Sequence, residues 1–246
     1  MSRQARLVSS TLQYMGTHPQ TVLITGANRG LGLGLSRHYL ARGRHVLAAC
    51  RDPEKFPAQA AGASGSLRVL PLDLEDPAFA SWLADQVRED GRSLDLVINN
   101  AAICKEEALG QWTGSAFTAS FVVNAVGPAL LVQAIREALT DGAKIIQLSS
   151  GLGSIAHIPR SPDVYTSYAM SKAALNMLTA RLAVELADRN IVVCAMNPGW
   201  VRTDMGGPDA PETVDSAVEK LTSTIERLGP ADSGKVLSAE GIPLAW

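Results

Sequence analysis

The sequence of 246 residues predicts an α/β fold: a single domain with a doubly wound parallel sheet of about seven strands and helices on both faces. Three observations predict it. Short apolar runs rich in β-branched residues recur along the chain, segments with helical periodicity lie between them, and no Pro/Gly-rich linker or internal repeat divides the chain. Strands that alternate with helices form right-handed βαβ units, so neighbouring strands are expected to be parallel.

Seven apolar runs are predicted to be strands. They show little of the polar alternation that marks a strand with one solvated face, as expected for strands buried on both faces. The seventh run is the weakest. In chain order they are TVLIT (21–25), HVLAAC (45–50), LRVLPL (67–72), LDLVIN (94–99), AKIIQLS (143–149), IVVCAMN (191–197) and GKVLSA (234–239).

The clearest helix is predicted over residues 168–187, YAMSKAALNMLTARLAVELA, where leucines recur at intervals of three and four. Residues 1–20 lack the apolar run of a signal peptide and are expected to form a tail or short helix ahead of the domain, residues 21–246. No run of about 18 consecutive apolar residues is present. The sequence therefore predicts a cytoplasmic protein that does not cross a membrane.

Charge, histidine spacing and cysteine number argue against a nucleic-acid partner, a metal site and a disulfide framework. A net charge of −2 provides no basic field for nucleic acid. The four histidines are scattered without metal-ligand spacing, so no metal site is predicted. Cys50, Cys104 and Cys194 are odd in number and form no CxxC pair, which is typical of reduced thiols in the cytoplasm.

A glycine-rich turn follows the first predicted strand: TGANRGLG, residues 25–32. Gly26 can make the tight turn that leaves the strand, Gly30 allows close approach of a pyrophosphate, and Gly32 permits close helix–strand contact. The free N–H groups of the helix that begins here attract anions. The spacing is GxxxGxG, not the GxGxxG of the general fingerprint, but the position after the first strand indicates dinucleotide binding.

The end of the second strand indicates which dinucleotide is bound. Cys50 occupies the position at which enzymes for NAD(H) typically have an acidic residue for the ribose hydroxyls, and Arg51 follows it. Arg29 lies within the glycine turn. Two guanidinium groups suit a dianionic 2′-phosphate, so NADP(H) is predicted. NAD(H) stays the less favoured alternative because Asp52 lies close to the ribose position.

Tyr168 and Lys172 are four residues apart in the predicted helix, so they share one face. An ammonium group near a phenol stabilises the phenolate, and Lys172 is therefore expected to lower the pKa of Tyr168 and to make it a useful proton donor and acceptor. Tyr165 has Ala169 in the corresponding position. It is expected to be a wall of the pocket.

Six motifs occur in one order, and with them the chain resembles the short-chain dehydrogenase/reductase family from about residue 21 onward. The C-terminal part looks most similar to the C-factor and sniffer-like carbonyl reductases. The resemblance implies a Rossmann fold. The motifs are TGANRGLG (25–32), NNAA (99–102), VNAVGP (123–128), QLSS (147–150), YAMSK (168–172) and NPGWVRTDM (197–205).

The resemblance also implies a set of cofactor contacts. Ala102 departs from the family pattern, which usually has glycine there. Asn99 and Ala101 match the signature that supports the central sheet. The expected cofactor-binding residues, including Arg51 from the preceding argument, are Gly26, Asn28, Arg29, Gly30, Leu31, Gly32, Arg51, Asp73, Leu74, Asn100, Ala101, Ala102, Tyr168, Lys172, Pro198, Gly199, Val201 and Thr203.

The catalytic residues that the resemblance implies are Asn124, Ser150, Tyr168 and Lys172. Tyr168 would be the general acid/base, and Lys172 would also bind the nicotinamide ribose. Ser150 would polarise the substrate carbonyl. Asn124 would hold a water that connects Lys172 to solvent.

The sequence leaves more than one serine open for the role of Ser150. Ser150 lies eighteen residues before Tyr168, a longer separation than is usual in the family. Ser149 is the alternative, and Ser154 is a more distant one. The longer loop, 151–167, and a second loop, 204–215, are expected to shape the substrate entrance.

The predicted function is reversible hydride transfer between NADP(H) and a small carbonyl or alcohol. The alternative is a regulatory or signalling protein that senses its cofactor with little turnover. An epimerase or dehydratase of nucleotide-sugars is disfavoured because the C-terminal region is short. Family members often pair through helices at about 113–139 and 165–187, so a homodimer is predicted, with a tetramer as the alternative.

Overall fold

The computed structural model describes residues 20–57, 64–158 and 163–246. The predicted N-terminal tail lies outside these residues, except for Gln20. Of the predicted substrate loop 151–167, residues 159–162 also lie outside them.

All seven predicted strands are present in one parallel sheet, which confirms the predicted fold class. The strand order is β3-β2-β1-β4-β5-β6-β7, so the direction of winding reverses between β1 and β4. Ligands bind beyond the carboxyl ends of the strands at such a point. The strands are β1 (Thr21–Thr25), β2 (His45–Cys50), β3 (Ser66–Pro71), β4 (Leu94–Asn99), β5 (Leu139–Leu148), β6 (Val192–Asn197) and β7 (Val236–Ser238).

Helices cover both faces of the sheet. Helices α1 and α6 pack on one face through residues such as Leu35 and Leu221. Helices α2, α4 and α5 pack on the other face, where Leu83 and Leu131 are fully buried. The helices are α1 (Gly30–Ala41), α2 (Phe79–Asp90), α3 (Gly114–Phe121), α4 (Gly127–Ile135), α5 (Thr166–Glu185) and α6 (Val214–Arg227), and a π-helical turn (Val122–Val126) joins α3 to α4.

Strand β5 begins four residues earlier than predicted. Leu139 pairs with Leu94, and the register then shifts before Lys144 pairs with Leu96. The intervening Asp-Gly pair has the composition of a turn, and Gly142 has a φ of 80°. Burial of Leu139 against its neighbour strand outweighs that local signal.

The helical stretch Gly114–Ala138 is long and apolar enough to cross a membrane, since an 18-residue window within it has a mean hydropathy of 1.6. Half of this window is buried inside the protein. Leu131, Val132 and Ile135 belong to the hydrophobic core, which explains the apolar composition of the stretch. The stretch is a core element of this globular fold.

Large apolar side chains remain exposed on the outer faces of this stretch and of α5: Val126, Leu130, Met170, Met177 and Val184. Exposed apolar side chains mark an interaction site where they form one contiguous patch. These residues lie in the two segments through which a homodimer was predicted. Dimerisation stays a prediction, which the mass of the particle in solution would test.

Candidate active site

Three adjoining depressions lie at the carboxyl ends of the strands. The first cleft, about 290 Å³, lies between the glycine turn and the segments that follow β2 and β3. The central cleft, about 150 Å³, lies between the glycine turn and the α5 residues Tyr168 and Lys172. The outer cavity, about 630 Å³, lies between Tyr168 and the segment 197–206. Tyr168 lines both the central cleft and the outer cavity.

The glycine turn has the geometry that its sequence predicts. Gly26 and Gly30 have φ values of 63° and 51°, in the left-handed region that favours glycine. A Cβ on Gly32 would lie 2.2 Å from the Gly26 carbonyl oxygen. The turn therefore depends on the absence of side chains at its glycines. Its main-chain groups form an open cradle.

Asn100 holds this turn in place. Its Nδ2 donates to the carbonyl oxygens of Thr25, at 2.7 Å, and Gly26, at 3.1 Å. In return, the Thr25 hydroxyl accepts from the main-chain N–H groups of Asn100 and Ala101, each at 3.0 Å. This network joins the ends of β1 and β4, the two strands at which the winding reverses.

Helix α1 begins at the glycine turn without a side-chain cap. Arg29 is its N-cap residue and makes no side-chain capping hydrogen bond. Such a helix start attracts anions. The Arg29 guanidinium, which is exposed, donates to Asp204 Oδ2 at 3.0 Å, so an ion pair links the glycine turn to the loop that follows β6.

Positive and negative side chains meet at the first cleft. Arg51 and Lys55 both line it, and so does Asp52. Lys55 donates to Asp52 Oδ2 at 2.7 Å, and this hydrogen bond lowers the pKa of Asp52. Sequence reasoning missed Lys55, because it lies in a short helical turn after β2 for which no motif or spacing rule exists.

Tyr168 and Lys172 lie together on one face of α5, as predicted. The Lys172 Nζ lies 5.5 Å from the centroid of the Tyr168 ring and donates to the Leu148 carbonyl oxygen at 2.6 Å. Burial lowers the pKa of Lys172 to about 8, an effect that the neighbouring Cys104 opposes. The ammonium group is therefore close to losing its proton at mildly alkaline pH.

The pKa of Tyr168 differs from the expectation. Burial and, to a smaller extent, the neighbouring Cys104 raise it to about 12, although a hydrogen bond with the Ser150 side chain acts in the opposite direction. The expected lowering by Lys172 does not contribute to this shift, which the cost of burying a phenolate dominates. At neutral pH the phenol is thus a proton donor.

The three candidate serines have different environments. Ser150 lines the outer cavity, and its Oγ accepts from Leu152 N at 3.2 Å. Ser149 is buried and donates to Asn176 Oδ1 at 2.6 Å. Ser154 donates to the Ala245 carbonyl oxygen at 2.7 Å. The hydrogen bond to Tyr168 therefore favours Ser150 as the serine of the site.

The loop that holds Ser150 lies directly against α5. A Cβ on Gly153 would lie 2.9 Å from the Cβ of Lys172. The Gly153 carbonyl oxygen accepts from Asn176 Nδ2 at 3.3 Å. This contact brings Ser150 and the first turns of α5 together.

Asn124 is fully buried in the π-helical turn, a type of irregularity that is frequent at functional sites. Its Nδ2 donates to the Ile103 carbonyl oxygen at 2.8 Å and to Ser171 Oγ at 2.9 Å. Ser171 in turn donates to the Tyr168 carbonyl oxygen at 2.7 Å. Both amide hydrogens are used, so the predicted water could be held only by the oxygen of this side chain or by the main chain.

Most predicted cofactor residues line the clefts. Gly32 lies beneath the turn, and Gly199 and Val201 line the outer cavity. Those at the first cleft are Gly26, Asn28, Arg29, Arg51, Asp73, Leu74 and Ala101. Those at the central cleft are Gly26, Arg29, Gly30, Leu31, Asn100, Ala102, Tyr168, Lys172, Pro198 and Thr203.

The outer cavity has an apolar and aromatic lining. Tyr165 lines it as predicted, beside Trp200 and Met205. Cys104 also lines it, a residue that sequence analysis did not assign to the site, although its position shortly after β4 could have indicated it. Burial raises the pKa of the Cys104 thiol to about 11, so it is protonated at neutral pH. Among the described residues, no group of three or more His, Cys, Asp or Glu side chains could hold a metal ion.

Comparison with known proteins agrees with this geometry. The family model for short chain dehydrogenases matches residues 20–213. The NADPH-bound carbonyl reductase from chicken fatty liver is 36% identical, with a TM-score of 0.85 over 94% of this chain and 100% of that one. The carbonyl reductase Sniffer of D. melanogaster is 31% identical, with a TM-score of 0.86 over 93% of this chain and 100% of that one.

A third relative, C-signal from Myxococcus xanthus, is 33% identical over 62% of this chain and 93% of its own length. Sequence motifs, sheet order and structural similarity therefore agree. The chain belongs to the short-chain dehydrogenase family and is similar to its carbonyl reductases.

Proposed function

We propose that this protein is an NADP(H)-dependent oxidoreductase that interconverts a small carbonyl compound and the corresponding alcohol. The observation that supports this most strongly is the position of Tyr168, whose side chain borders both the central cleft and the outer cavity and has Ser150 as its hydrogen-bond partner. A proton donor placed between two depressions can protonate a substrate that is bound in one of them next to a cofactor that is bound in the other.

The first and central clefts fit a dinucleotide. The glycine turn is packed so closely that a Cβ at Gly32 would overlap the Gly26 carbonyl oxygen, and the uncapped start of α1 suits a pyrophosphate. Arg29 and Arg51 would hold the 2′-phosphate of NADP(H), and the NADPH bound by the chicken carbonyl reductase supports this choice over NAD(H). When bound, the cofactor supplies or accepts the hydride.

Four side chains of the site have separate roles in the reaction. The protonated phenol of Tyr168 donates its proton to the substrate oxygen during reduction. The Ser150 hydroxyl donates a hydrogen bond to the same oxygen and stabilises its developing charge. The Lys172 ammonium stabilises the phenolate that remains. Asn124 fixes the turn of α5 through Ser171, and the predicted relay water would lie beside it.

The lining of the outer cavity indicates the class of substrate. Its described residues include aromatic and apolar side chains, such as Tyr165, Trp200 and Met205, and no Asp, Glu, Lys or Arg. An uncharged carbonyl compound with apolar substituents suits this cavity, since a carboxylate or phosphate would lose its hydration without a partner.

A panel of aldehydes, ketones and quinones, each paired with a carboxylated analogue, tests the proposed function. Consumption of NADPH is followed by absorbance. We expect turnover with neutral members of the panel and lower kcat/KM for their charged analogues. Absence of turnover across the panel would argue against a reductase.

Replacing Arg51 with Gln is expected to weaken NADPH binding about 10-fold or more, because hydrogen bonds to charged groups contribute about 1.5–3 kcal/mol. NADH lacks the 2′-phosphate, so its affinity should change little. Fluorescence titration with both cofactors measures this difference. Arg88→Gln removes the same charge from the exposed surface of α2 and is the control. Equal affinity of the unmodified protein for NADPH and NADH would contradict the assignment of Arg29 and Arg51.

The rate of carbonyl reduction is expected to depend on pH through the Tyr168–Lys172 pair. The first proton that the pair loses belongs to Lys172, whose pKa is lowered to about 8, while the pKa of Tyr168 is raised to about 12. Above pH 8 the ammonium is lost, so kcat/KM for reduction should fall, and alcohol oxidation, which needs a base, should rise over the same range.

Profiles of both directions between pH 6 and 10 at constant ionic strength would measure this transition. Lys172→Arg remains charged throughout that range and should lose the transition. A reduction rate that stays level through pH 9 would contradict the assignment.

A cofactor-sensing regulator is the second candidate, favoured by the similarity to a protein named C-signal. Such a protein would bind NADPH without turning over carbonyl compounds. The substrate panel separates the two, because a sensor needs the clefts but no proton donor.

A further inference from the structure

The C-terminal segment, residues 239–246, folds back along the last strand. Ser238 N donates to the Ile242 carbonyl oxygen at 2.8 Å, which closes a turn, and Leu244 N donates to the Val236 carbonyl oxygen at 2.8 Å. The chain therefore runs antiparallel to β7, from the carboxyl end of that strand toward its amino end.

The end of this segment bonds to the loop that follows Ser150. Ser154 Oγ donates to the Ala245 carbonyl oxygen at 2.7 Å, and Ala156 N donates to the Trp246 main-chain oxygen at 2.7 Å. Ser154 is 7% exposed, so its hydrogen bond is shielded from water.

The same loop is held on its other side by α5. Gly153 approaches Lys172 closely enough that a Cβ would overlap it, and Asn176 donates to the Gly153 carbonyl oxygen. The Gly153 N–H donates to the Ser150 carbonyl oxygen at 3.0 Å, in a short helical turn. Residues 151–156 therefore lie between α5, which contains Tyr168 and Lys172, and the C-terminal segment.

We propose that Ala245 and Trp246 are positioning residues that hold Ser150 at the distance from Tyr168 needed for reduction. The inference rests on the proposed function. The main-chain oxygens of Ala245 and Trp246 accept hydrogen bonds from Ser154 and Ala156, and neither of these two loop residues lines the first or the central cleft. Their loss would thus disturb the carbonyl-polarising hydroxyl and leave cofactor binding intact.

The test compares a variant that ends at Leu244 with Ser154→Ala and with the combination of the two. The shortened variant keeps the bond from Leu244 to β7. We expect kcat/KM for the best carbonyl substrate to fall about 10-fold in the shortened variant, because small misplacement of a catalytic group lowers the rate strongly. The Kd for NADPH should stay within about twofold, within the scatter of affinities for unaltered contacts.

Three results would separate positioning from general stabilisation. Because both changes remove the Ser154–Ala245 bond, the combined variant should be no slower than the shortened one. Ser154→Thr keeps the hydroxyl and should retain most of the activity that Ser154→Ala loses. Thr224→Val removes a buried hydrogen bond to the Ala239 carbonyl oxygen in the same segment, and it should lower the melting temperature without changing kcat/KM.

Hydrogen exchange tests the inference without turnover. Exchange of the Gly153 amide, which bonds to Ser150 and not to the C-terminal segment, should be faster in the shortened variant. If the unmodified protein reduces no carbonyl, the proposed function fails, and this measurement still tests the contact. Unchanged exchange at Gly153 would overturn the inference, as would unchanged kcat/KM in an active enzyme.

Discussion

Replacing Tyr168 with Phe is expected to lower kcat for carbonyl reduction by about 10²–10⁴, the usual contribution of a positioned general acid. The change removes the phenolic oxygen that gives up the proton and leaves the ring that borders the central cleft and the outer cavity. Binding of NADPH should therefore persist. The decrease in NADPH absorbance with the fastest substrate of the panel measures the rate, and fluorescence titration measures binding.

Tyr165→Phe is the matched control for this experiment. Tyr165 lines the same outer cavity three residues earlier, so its variant loses the same atom from the same surface. It should keep most of its activity, with a change confined to KM. Tyr168 would not be the general acid if Tyr168→Phe retained activity, or if the two variants were equally impaired.

Replacing Gly32 with Ala is expected to have the largest effect on cofactor binding. The new Cβ would lie 2.2 Å from the Gly26 carbonyl oxygen and 2.6 Å from Asn100 Nδ2. Since the first of these is a backbone atom, the turn must shift, at a cost of about 1–3 kcal/mol for an overpacked site. We expect the Kd for NADPH to rise about 10- to 100-fold.

Gly114→Ala supplies the comparison, since a Cβ there would meet nothing within 4 Å. Thermal unfolding followed by circular dichroism shows whether the Gly32 variant is folded at the temperature of the titration. Gly30→Ala places its Cβ 3.2 Å from the Thr203 side chain and forces an alanine into a φ of 51°, a strain of about 1–2 kcal/mol, so it tests the same turn at a second position if the first variant is unstable. A folded Gly32→Ala protein with unchanged affinity for NADPH would show that the glycine turn does not bind the dinucleotide.

The fold was largely predictable because its signals are local. Strands β1, β2 and β4 have the predicted bounds, since their apolar runs end at turns with Gly, Pro or polar residues. Strand β5 was predicted too short, because an Asp-Gly pair inside it resembles a turn. Only the pairing of Leu139 with Leu94 extends the strand across that pair.

The candidate site was predictable in position but not in electrostatics. Spacing indicated that Tyr168 and Lys172 share a face of α5, but burial, which raises the pKa of Tyr168, depends on how distant segments pack. Lys55 escaped prediction because no motif marks the short helical turn after β2, whereas the position of Cys104 shortly after β4 could have indicated it. The partners of Asn124, which use both its amide hydrogens, were likewise not readable from its motif.

The absence of a side chain at Gly153 determines how closely the loop that holds Ser150 approaches α5, which holds Tyr168. With hydrogen as its only substituent, this residue lets the loop rest directly on the main chain of Lys172. A methyl group there would overlap Lys172 and push the loop away from α5. If the Ser150 hydroxyl and the Tyr168 phenol bind one substrate oxygen, as proposed, the distance between them limits the size of the group that both can contact. Gly153, which takes no part in the chemistry, contributes to that distance.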